Sequence, residues 1–445
     1  MLLIVVLVFC VLFIIFSSTT FKLHPFLALL FAALAFGLLT GMPLPKIAKS
    51  INDGFGGTLG YIGIVIVAGT IIGTFLEFSG GAYALADWIL KWIGQKRVPL
   101  AMAIIGYFVS IPVFADSGFV ILSPLNKALS KRAKVSLASS AIALSLGLTV
   151  THCLVPPTPG PIAAAGILGA DLGLVILFGM VIAALSLFNG WLFAEKFASK
   201  IPIDPNPDAS MKDIKSKMKE APSVTKAMSP ILTPIVLIVL KSVSDFPTKP
   251  LGEGFLKTLV GFIGEPVIAL LIGVLLAFTL PRKLKKNMLG DSGWVGTGLR
   301  SATIIILITG AGGSFGKVLQ NSTMADTIGG ALSNANIGIW MPFLIAAMLK
   351  TAQGSSTVAL ITTASIMSPI MTSMGFTSEI AKALVVTSIS SGAMVVSHAN
   401  DSFFWVVTQM SRMDVKTGYK LQSLGTFIIG ISAGTLTWIL SLILI

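Results

Sequence analysis

The chain has 445 residues, of which 54% are hydrophobic and only 11% are charged, and its formal net charge at pH 7 is +13. A soluble protein of this size needs far more charge to cover its surface, so the composition excludes that class and predicts a polytopic membrane protein. The excess of Lys and Arg falls in short loops and forms no basic–aromatic patch, which favours a role in membrane topology over nucleic-acid binding.

Apolar stretches long enough to cross a bilayer recur along the chain. The first of them lacks a basic leading region and a small-residue cleavage site, so it is interpreted as a retained span. Cys10 and Cys153 lie in two different predicted spans, which predicts neither a structural disulfide nor a metal site. The predicted spans are 2–21, 25–41, 57–76, 135–151, 172–194, 228–240, 258–280, 301–316, 383–400 and 421–445.

A segment at 98–130 has two short apolar arms around "PVFADSG". Basic residues flank it on both sides, at Lys91, Lys96, Arg97, Lys127, Lys131, Arg132 and Lys134. Positive charge at both ends predicts that both ends lie in the cytosol, so the segment is expected to be a re-entrant hairpin. A helix interrupted by "THCLVPPTPGP" is expected to follow over 133–170.

The stretch 195–227 is polar and rich in Lys and Pro, which predicts a cytosolic linker between two units, 1–194 and 228–445. The units resemble each other: "GTIIGTFLEFSG" pairs with "GGSFGKVLQNST", and "LSLGLTVTHC" pairs with "ISSGAMVVSHA" in the same order. The second unit has its own expected hairpin at 337–373, around "TAQGSST", and its own broken helix at 378–412, around "SHANDSF".

The charge bias of the second hairpin is the opposite of the first. Its flanks carry a single basic residue, Lys382, as expected for a hairpin that enters from outside. Opposite bias on matching segments indicates inverted repeats, each with about five transmembrane helices and one re-entrant hairpin. The cytosolic segments are then 17–24, 195–227, 281–300 and 412–420, and both termini lie outside.

Four interruptions of apolar sequence, two hairpin tips and two helix breaks, are the candidate site. Broken backbone inside a membrane requires a protein-lined polar cavity, and inverted packing would bring the four breaks together at the midplane. Helix N-termini there suit a carboxylate. The candidate substrate-binding residues are Phe114, Ser117, Gly118, Thr151, Pro157, Thr158, Lys350, Gln353, Gly354, Ser355, Ser356, Thr357 and Asn400.

Four titratable residues are candidates for proton coupling: Asp116, His152, His398 and Asp401. Ionisable groups are costly inside a membrane, which favours function. The alternative is structural, since His398 with Asp401 would also tie two helices together and a buried His152 would also bond a carbonyl. Lys350 would either pair with an anionic substrate or extend to the membrane surface. No cofactor is predicted.

The breaks carry a resemblance to the gluconate permease family of bacterial inner-membrane proton symporters, within the wider ion-transporter superfamily. The matching stretches are "PVFADSGFVILSPL", "THCLVPPTPGPIAAAGILGADLG", "AGGSFGKVLQNS", "KTAQGSSTVALITTASI" and "SHANDSFFWVV". Two positions depart from the family pattern: Asp116 stands where glutamate is common, and Thr158 where histidine is common.

The resemblance implies an elevator-type carrier, held as a homodimer by its scaffold, that imports gluconate or a related sugar acid or hydroxy acid with protons. A sodium-coupled carboxylate carrier or a D-serine-type amino acid carrier of the same fold is the alternative. Hydroxyl-rich tips and free carbonyls would also ligate sodium. An intramembrane enzyme with a His–Asp site is disfavoured because the sequence has neither a nucleophile elbow nor a metal cluster. A passive channel is disfavoured because broken helices repeated in both units are more typical of alternating access. The substrate and the coupling ion stay open.

Overall fold

In the computed structural model, the described residues are 2–94, 97–205, 220–245, 252–322 and 337–445. Within these ranges every regular element is a helix, in agreement with the predicted all-α membrane fold. The helices of the first unit are α1 (Leu2–Thr19), α2 (Pro25–Leu39), α3 (Leu44–Phe78), α4 (Gly81–Ile93), α5 (Val98–Val109), α6 (Ala115–Ala133), α7 (Leu137–Leu154), α8 (Pro159–Leu168) and α9 (Leu172–Lys196).

The second unit follows the same order. Its helices are α10 (Val224–Ser244), α11 (Phe255–Ile263), α12 (Pro266–Ala277), α13 (Trp294–Asn321), α14 (Trp340–Gln353), α15 (Ser356–Met367), α16 (Glu379–Gly392), α17 (Ser402–Met410) and α18 (Leu424–Leu444). Shorter helical turns cover Ala198–Lys200, Lys286–Leu289, Val415–Gly418 and Tyr419–Ser423. Much of the predicted linker, and the segment between α13 and α14, fall outside the described residues.

Several helices are long and apolar enough to cross a bilayer. By length and composition there are five in the described part of the chain, or up to seven if two bent pairs each count as one span. The bent pairs are Leu44–Tyr61 with Gly63–Phe78, at 46°, and Phe255–Ile263 with Pro266–Ala277, at 65°. The arms α5 and α15 are shorter apolar helices of 12 residues each, too short to span alone.

Prolines and caps determine where the broken helices start and stop. Pro159 and Pro266 occupy the first turn of their helices, where a missing N–H costs nothing. The hydroxyls of Ser136, Ser355 and Ser378 accept a hydrogen bond from a backbone amide of the helix that each of them precedes. The helices therefore begin at fixed residues, which positions the interruptions between α5 and α6, α7 and α8, α14 and α15, and α16 and α17.

The two units pack against each other in a reciprocal pattern. Helix α3 lies along its counterpart α13, and α9 lies along its counterpart α18. The second arm of each hairpin packs on the second half of the other unit's broken helix, α6 on α17 and α15 on α8. This exchange is what brings the tips of both hairpins to one region of the molecule.

Matching glycines on α3 and α13 make different contacts. Gly73 has no room for a Cβ because the carbonyl of Pro112, in the first hairpin tip, lies against it, and the carbonyl of Pro157 lies against Gly69 less closely. On α13, Gly316 faces the backbone of Ser365, near the far end of the second arm α15 rather than at the hairpin tip. The tip and break of the first unit thus contact the glycines of α3, whereas the matching glycines of α13 contact α15 away from the tip.

Candidate binding site

A cavity of about 300 Å³ lies where the two hairpin tips meet the broken end of α17. Phe114, Ala115 and Asp116 line it from the first hairpin, and Thr149, His152 and Cys153 line it from α7. The rest of the lining consists of Lys350, Gln353, Gly354, Ser355, Ser356, Thr357, Met394, Ser397, Asn400, Asp401, Ser402 and Phe403. All four predicted interruptions therefore contribute to one cavity, the break after α7 only through His152 and Cys153 in the last turn of that helix.

The N-termini of three helices face this cavity: α6, α15 and α17. Each first turn leaves backbone amides without intrahelical partners, and the helix dipole adds partial positive charge. Ser355 caps α15 by accepting from the Val358 amide at 3.3 Å. Phe114 offers no side-chain cap to α6. The arrangement suits an anion.

The strongest electrostatic contact in the cavity is a buried ion pair between Lys350 and Asp401. The Lys350 Nζ lies 2.7 Å from Asp401 Oδ2, and the two side chains are only 2% and 10% exposed. Lys350 also donates to the carbonyl of Gly354. Ser397 donates to Asp401 Oδ2 at 2.6 Å, and the amide of Phe403 donates to Oδ1 at 3.0 Å. Every charged atom of the pair is thus compensated, as burial requires.

Asp116 is the second carboxylate of the cavity. It lies in the first turn of α6, and the hydroxyl of Ser402 lies 3.4 Å from its Oδ1. No cation bonds it at the distance at which Lys350 bonds Asp401. The lining therefore carries two carboxylates and one ammonium group. With the Lys350–Asp401 pair neutral as a unit, the charge of the cavity depends on Asp116.

The two candidate histidines, His152 and His398, have different surroundings. The ring of His398 contacts the carbonyl of Thr351 through Nε2 at 2.8 Å and stacks on Tyr419, and it does not line the cavity. His398 and Asp401 are joined by a backbone hydrogen bond, from the Asp401 amide to the His398 carbonyl at 2.8 Å, whereas the Asp401 carboxylate caps α17 and bonds Lys350. His152 does line the cavity, and its buried Nδ1 has no hydrogen-bond partner.

A second unpartnered group lies beside His152. Both amide atoms of Gln353 are buried and make no hydrogen bond, although Gln353 lines the cavity. Buried polar atoms without partners are costly, so they mark positions where a ligand or water completes the structure. Asn400, by contrast, is already engaged, donating to the carbonyls of Thr351 at 2.9 Å and Ala352 at 3.0 Å.

Gly354 joins the second hairpin tip to the second break. Its φ of +83° is a conformation that side-chain-bearing residues rarely adopt, and the carbonyl of Asn400 occupies the place where a Cβ would lie. A glycine is therefore required for both reasons. The contact holds the tip of α14 against the start of α17, which keeps Lys350 within reach of Asp401.

Some predicted site residues lie elsewhere. Ser117, Gly118, Thr151, Pro157, Thr158 and His398 do not line the cavity. The Thr158 hydroxyl donates its one proton to the carbonyl of Val155 at 2.6 Å. Gly118 packs against the side chain of Leu148, and Pro157 packs on Gly69. These residues shape the tip and the break rather than the cavity wall.

Other lining residues were not among the candidates. Thr149 and Cys153 share one face of α7 with the candidate His152, because positions three and four apart are neighbours on a helix. That spacing was visible in the sequence and could have extended the candidate list from His152. Ser397 and Ser402 also belong to the site, through Asp401 and Asp116 respectively. Among the described residues, no group of three or more His, Cys, Asp or Glu side chains is arranged to hold a metal ion.

Comparison with known proteins gives a consistent result. The model of the GntP family permeases matches residues 1–443. An "Uncharacterized permease" of Haemophilus influenzae is 40% identical, covering 92% of this chain and 86% of its own. A "Gluconate permease" of Pseudomonas aeruginosa is 35% identical, covering 96% and 94%. The "D-serine transporter DsdX" of Escherichia coli is 34% identical, covering 97% and 96%.

A solved structure shares the fold. The crystal structure of the YdaH transporter of Alcanivorax borkumensis, described as having an unusual topology, superposes with a TM-score of 0.66. The alignment covers 95% of this chain and 99% of that chain. Sequence identity is 15%, so the likeness concerns the fold alone.

Proposed function

Because the chain belongs to the GntP family of permeases, we propose that it is a secondary active transporter that moves a small monocarboxylate together with protons. Membership of the family makes the chain a membrane permease rather than an enzyme. Relatives named for gluconate and for D-serine support a small organic acid as the substrate class. The single observation that carries the proposal is the shape of this cavity. The N-termini of α6, α15 and α17 surround both the Lys350–Asp401 pair and the separate carboxylate of Asp116.

The substrate carboxylate is proposed to bind at the start of α15. The start of α15 offers first-turn amides and the hydroxyls of Ser355 and Ser356, and Lys350 keeps a third N–H besides those donated to Asp401 and to the Gly354 carbonyl. The unpartnered amide of Gln353 and the Nδ1 of His152 then take hydroxyl or amino groups of the substrate. Phe114 and Thr357 complete the wall, and Asn400 orders the backbone that supports it.

Charge balance supports proton coupling at Asp116. The cavity with an ionised Asp116 already carries one negative charge, since Lys350 neutralises Asp401. A second negative charge from the substrate would be expensive in a buried site. A proton on Asp116 keeps the total at one negative charge, so substrate and proton bind together. Asp401, His152 and His398 are then supporting groups rather than the carrier of the coupled proton.

The test is uptake of radiolabelled gluconate into proteoliposomes, with D-serine in a parallel series. An inward proton gradient is expected to drive accumulation of one of these acids, and a protonophore is expected to abolish it. Uptake that requires sodium and ignores the proton gradient would establish the sodium-coupled alternative instead. Uptake of D-serine but not gluconate would reassign the substrate and leave the coupling intact.

The orientation of the chain is part of the proposal. One relative is named an "Inner membrane permease", which supports the bacterial inner membrane as the location. Both termini are proposed to lie in the periplasm and the linker 195–227 in the cytosol, on the distribution of Lys and Arg. A homodimer remains a prediction from the family resemblance. Light scattering of the purified protein would check it by measuring the molar mass.

Labelling of single cysteines tests this orientation. The natural Cys10 and Cys153 are buried, so background reaction is low. A membrane-impermeant maleimide is expected to label Thr377→Cys in intact cells, and to label Lys131→Cys and Ser199→Cys only after permeabilisation. All three positions are exposed. Equal access to positions 377 and 131 from outside would contradict the opposite orientation of the two hairpins.

A further inference from the structure

The second break contains a residue in a rare backbone conformation. Val396, between α16 and α17, has a φ of +53°. A β-branched side chain is unfavourable in this left-handed region. Such a conformation persists only where the surrounding structure holds it, and it is found most often at functional sites. Contacts next to Val396 must therefore keep the break in this shape.

Those contacts come from the start of α18 and act on the next residue, Ser397. The Ser397 amide donates to the Thr426 hydroxyl at 2.9 Å, and the Ser397 carbonyl accepts from the Ser423 hydroxyl. The Thr426 hydroxyl also donates to the carbonyl of Ser423 at 3.0 Å, which joins the two side chains. Ser397, Ser423 and Thr426 are all buried. Both backbone polar atoms of Ser397 are thus held by two clamp hydroxyls, those of Ser423 and Thr426.

The turn that carries Ser423 is itself unusual. Residues Tyr419–Ser423 form a π-helical turn directly before α18, a rare geometry that occurs frequently at functional sites. Gln422 in this turn is fully buried and accepts from the hydroxyl of Ser145 on α7 at 2.8 Å. The clamp hydroxyls are therefore anchored on α7, the same helix that contributes His152 to the substrate cavity.

Ser397 connects the clamp hydroxyls to the charged pair of the substrate cavity. Its own hydroxyl donates to Asp401 Oδ2 at 2.6 Å, the atom that Lys350 bonds at 2.7 Å. A shift of the Ser397 backbone must therefore move the Asp401 carboxylate, and the Lys350 ammonium group with it. Ser423 and Thr426 do not line the cavity, so they can affect a bound substrate only through Ser397.

We propose that the two clamp hydroxyls are positioning groups of the substrate site: they hold Ser397 so that Asp401 keeps Lys350 in place for the substrate carboxylate. The inference rests on the proposed function, in which the ammonium group of Lys350 binds that carboxylate. Loss of either hydroxyl frees one backbone atom of Ser397, and Val396 then relaxes to an ordinary conformation. The ammonium group moves out of place, so the substrate binds more weakly.

Thr426→Val tests the inference, because valine has the shape of threonine but cannot accept from the Ser397 amide. The Kd for gluconate, measured by calorimetric titration, is expected to rise about tenfold, the usual effect of leaving one buried donor unpaired. The maximal rate of gluconate exchange in proteoliposomes is expected to stay near the wild-type rate, because the loaded carrier is unchanged. Thr426→Ser keeps the hydroxyl and is expected to restore the wild-type Kd.

Thr437→Val is the matched control. Thr437 is also fully buried in α18, and its hydroxyl donates to the carbonyl of Ala433 in the same helix at 2.9 Å. This variant is expected to bind gluconate as the wild type does. Ser423→Ala removes the other clamp hydroxyl and is expected to raise the Kd as well. Because both hydroxyls hold one residue, the double variant should raise the Kd by less than the product of the single effects.

Three results would overturn the inference. A wild-type Kd in both Thr426→Val and Ser423→Ala would show that the clamp hydroxyls do not position Lys350. A loss of maximal exchange rate as large as the loss of affinity, or an equal loss of affinity in Thr437→Val, would make them ordinary packing groups. Absence of proton-driven uptake by the wild-type protein would remove the proposed function and the inference with it, and this failure is seen without any variant.

Discussion

Replacement of Lys350 by methionine should abolish transport and destabilise the protein by about 3–5 kcal/mol, the usual cost of removing one partner from a buried ion pair. Asp401 would be left buried without its cation, although it still accepts from Ser397 and from the amide of Phe403. The hydrogen bond from Lys350 to Gly354, which fixes the second hairpin tip, is lost as well. Thermal unfolding in detergent and gluconate uptake measure the two effects.

The double variant Lys350→Met with Asp401→Asn separates stability from binding. Removing the orphaned charge is expected to recover most of the lost stability, whereas transport stays absent because the positive charge for the substrate is gone. Lys382→Met is the control, since it breaks a more exposed pair with Glu379 and should cost no more than about 1 kcal/mol. Near-normal transport by Lys350→Met would show that the substrate does not need this ammonium group.

Replacement of Asp116 by asparagine should reduce proton-driven net uptake at least a hundredfold while exchange of gluconate continues. Asparagine imitates the protonated acid, so the substrate still binds and the loaded carrier still moves. Binding should also lose its pH dependence. In the wild type the substrate binds with a proton, so above the ionisation of Asp116 the Kd should rise about tenfold per pH unit. Calorimetric titration between pH 6 and 8 measures this slope.

Asp87→Asn is the control for this charge change, because Asp87 forms an exposed pair with Lys91. Its uptake and its pH profile are expected to match the wild type. If Asp116→Asn still accumulates gluconate against a gradient, the proton is carried elsewhere. His152, the other titratable residue of the cavity without a partner at one ring nitrogen, would then be the next candidate.

The interruptions of the helices could be predicted from the sequence because proline, glycine and polar residues stand out in apolar surroundings. The all-helical membrane fold was predicted for the same reason, and the family resemblance carried by the motifs at those interruptions is confirmed. Asp116 and Gln353 were found in this way and do line the cavity. The local sequence is therefore sufficient to predict a feature when that feature is itself an interruption of one helix.

Pairings across the chain could not be predicted. Lys350 and Asp401 are separated by 51 residues and meet through contacts of the second hairpin tip with the second break, such as Gly354 on Asn400 and Asn400 on the Thr351 carbonyl. Proximity in sequence suggested His398 as the partner of Asp401, but the carboxylate turns towards the N-terminus of α17 and the imidazole turns away from it.

The internal neutrality of the Lys350–Asp401 pair determines what can power the carrier. Under the proposed coupling, the empty form holds one negative charge on Asp116, and the loaded form holds one on the substrate. The empty and the loaded carrier thus move through the membrane with the same charge. A membrane potential contributes about 2.3 kcal/mol per charge per 100 mV, and here its effects on the two movements cancel. Only the pH difference across the membrane then drives accumulation, to about a tenfold ratio of internal to external substrate concentration for each pH unit. A cell that uses this carrier would therefore concentrate the substrate best in an acidic medium, whatever its membrane potential.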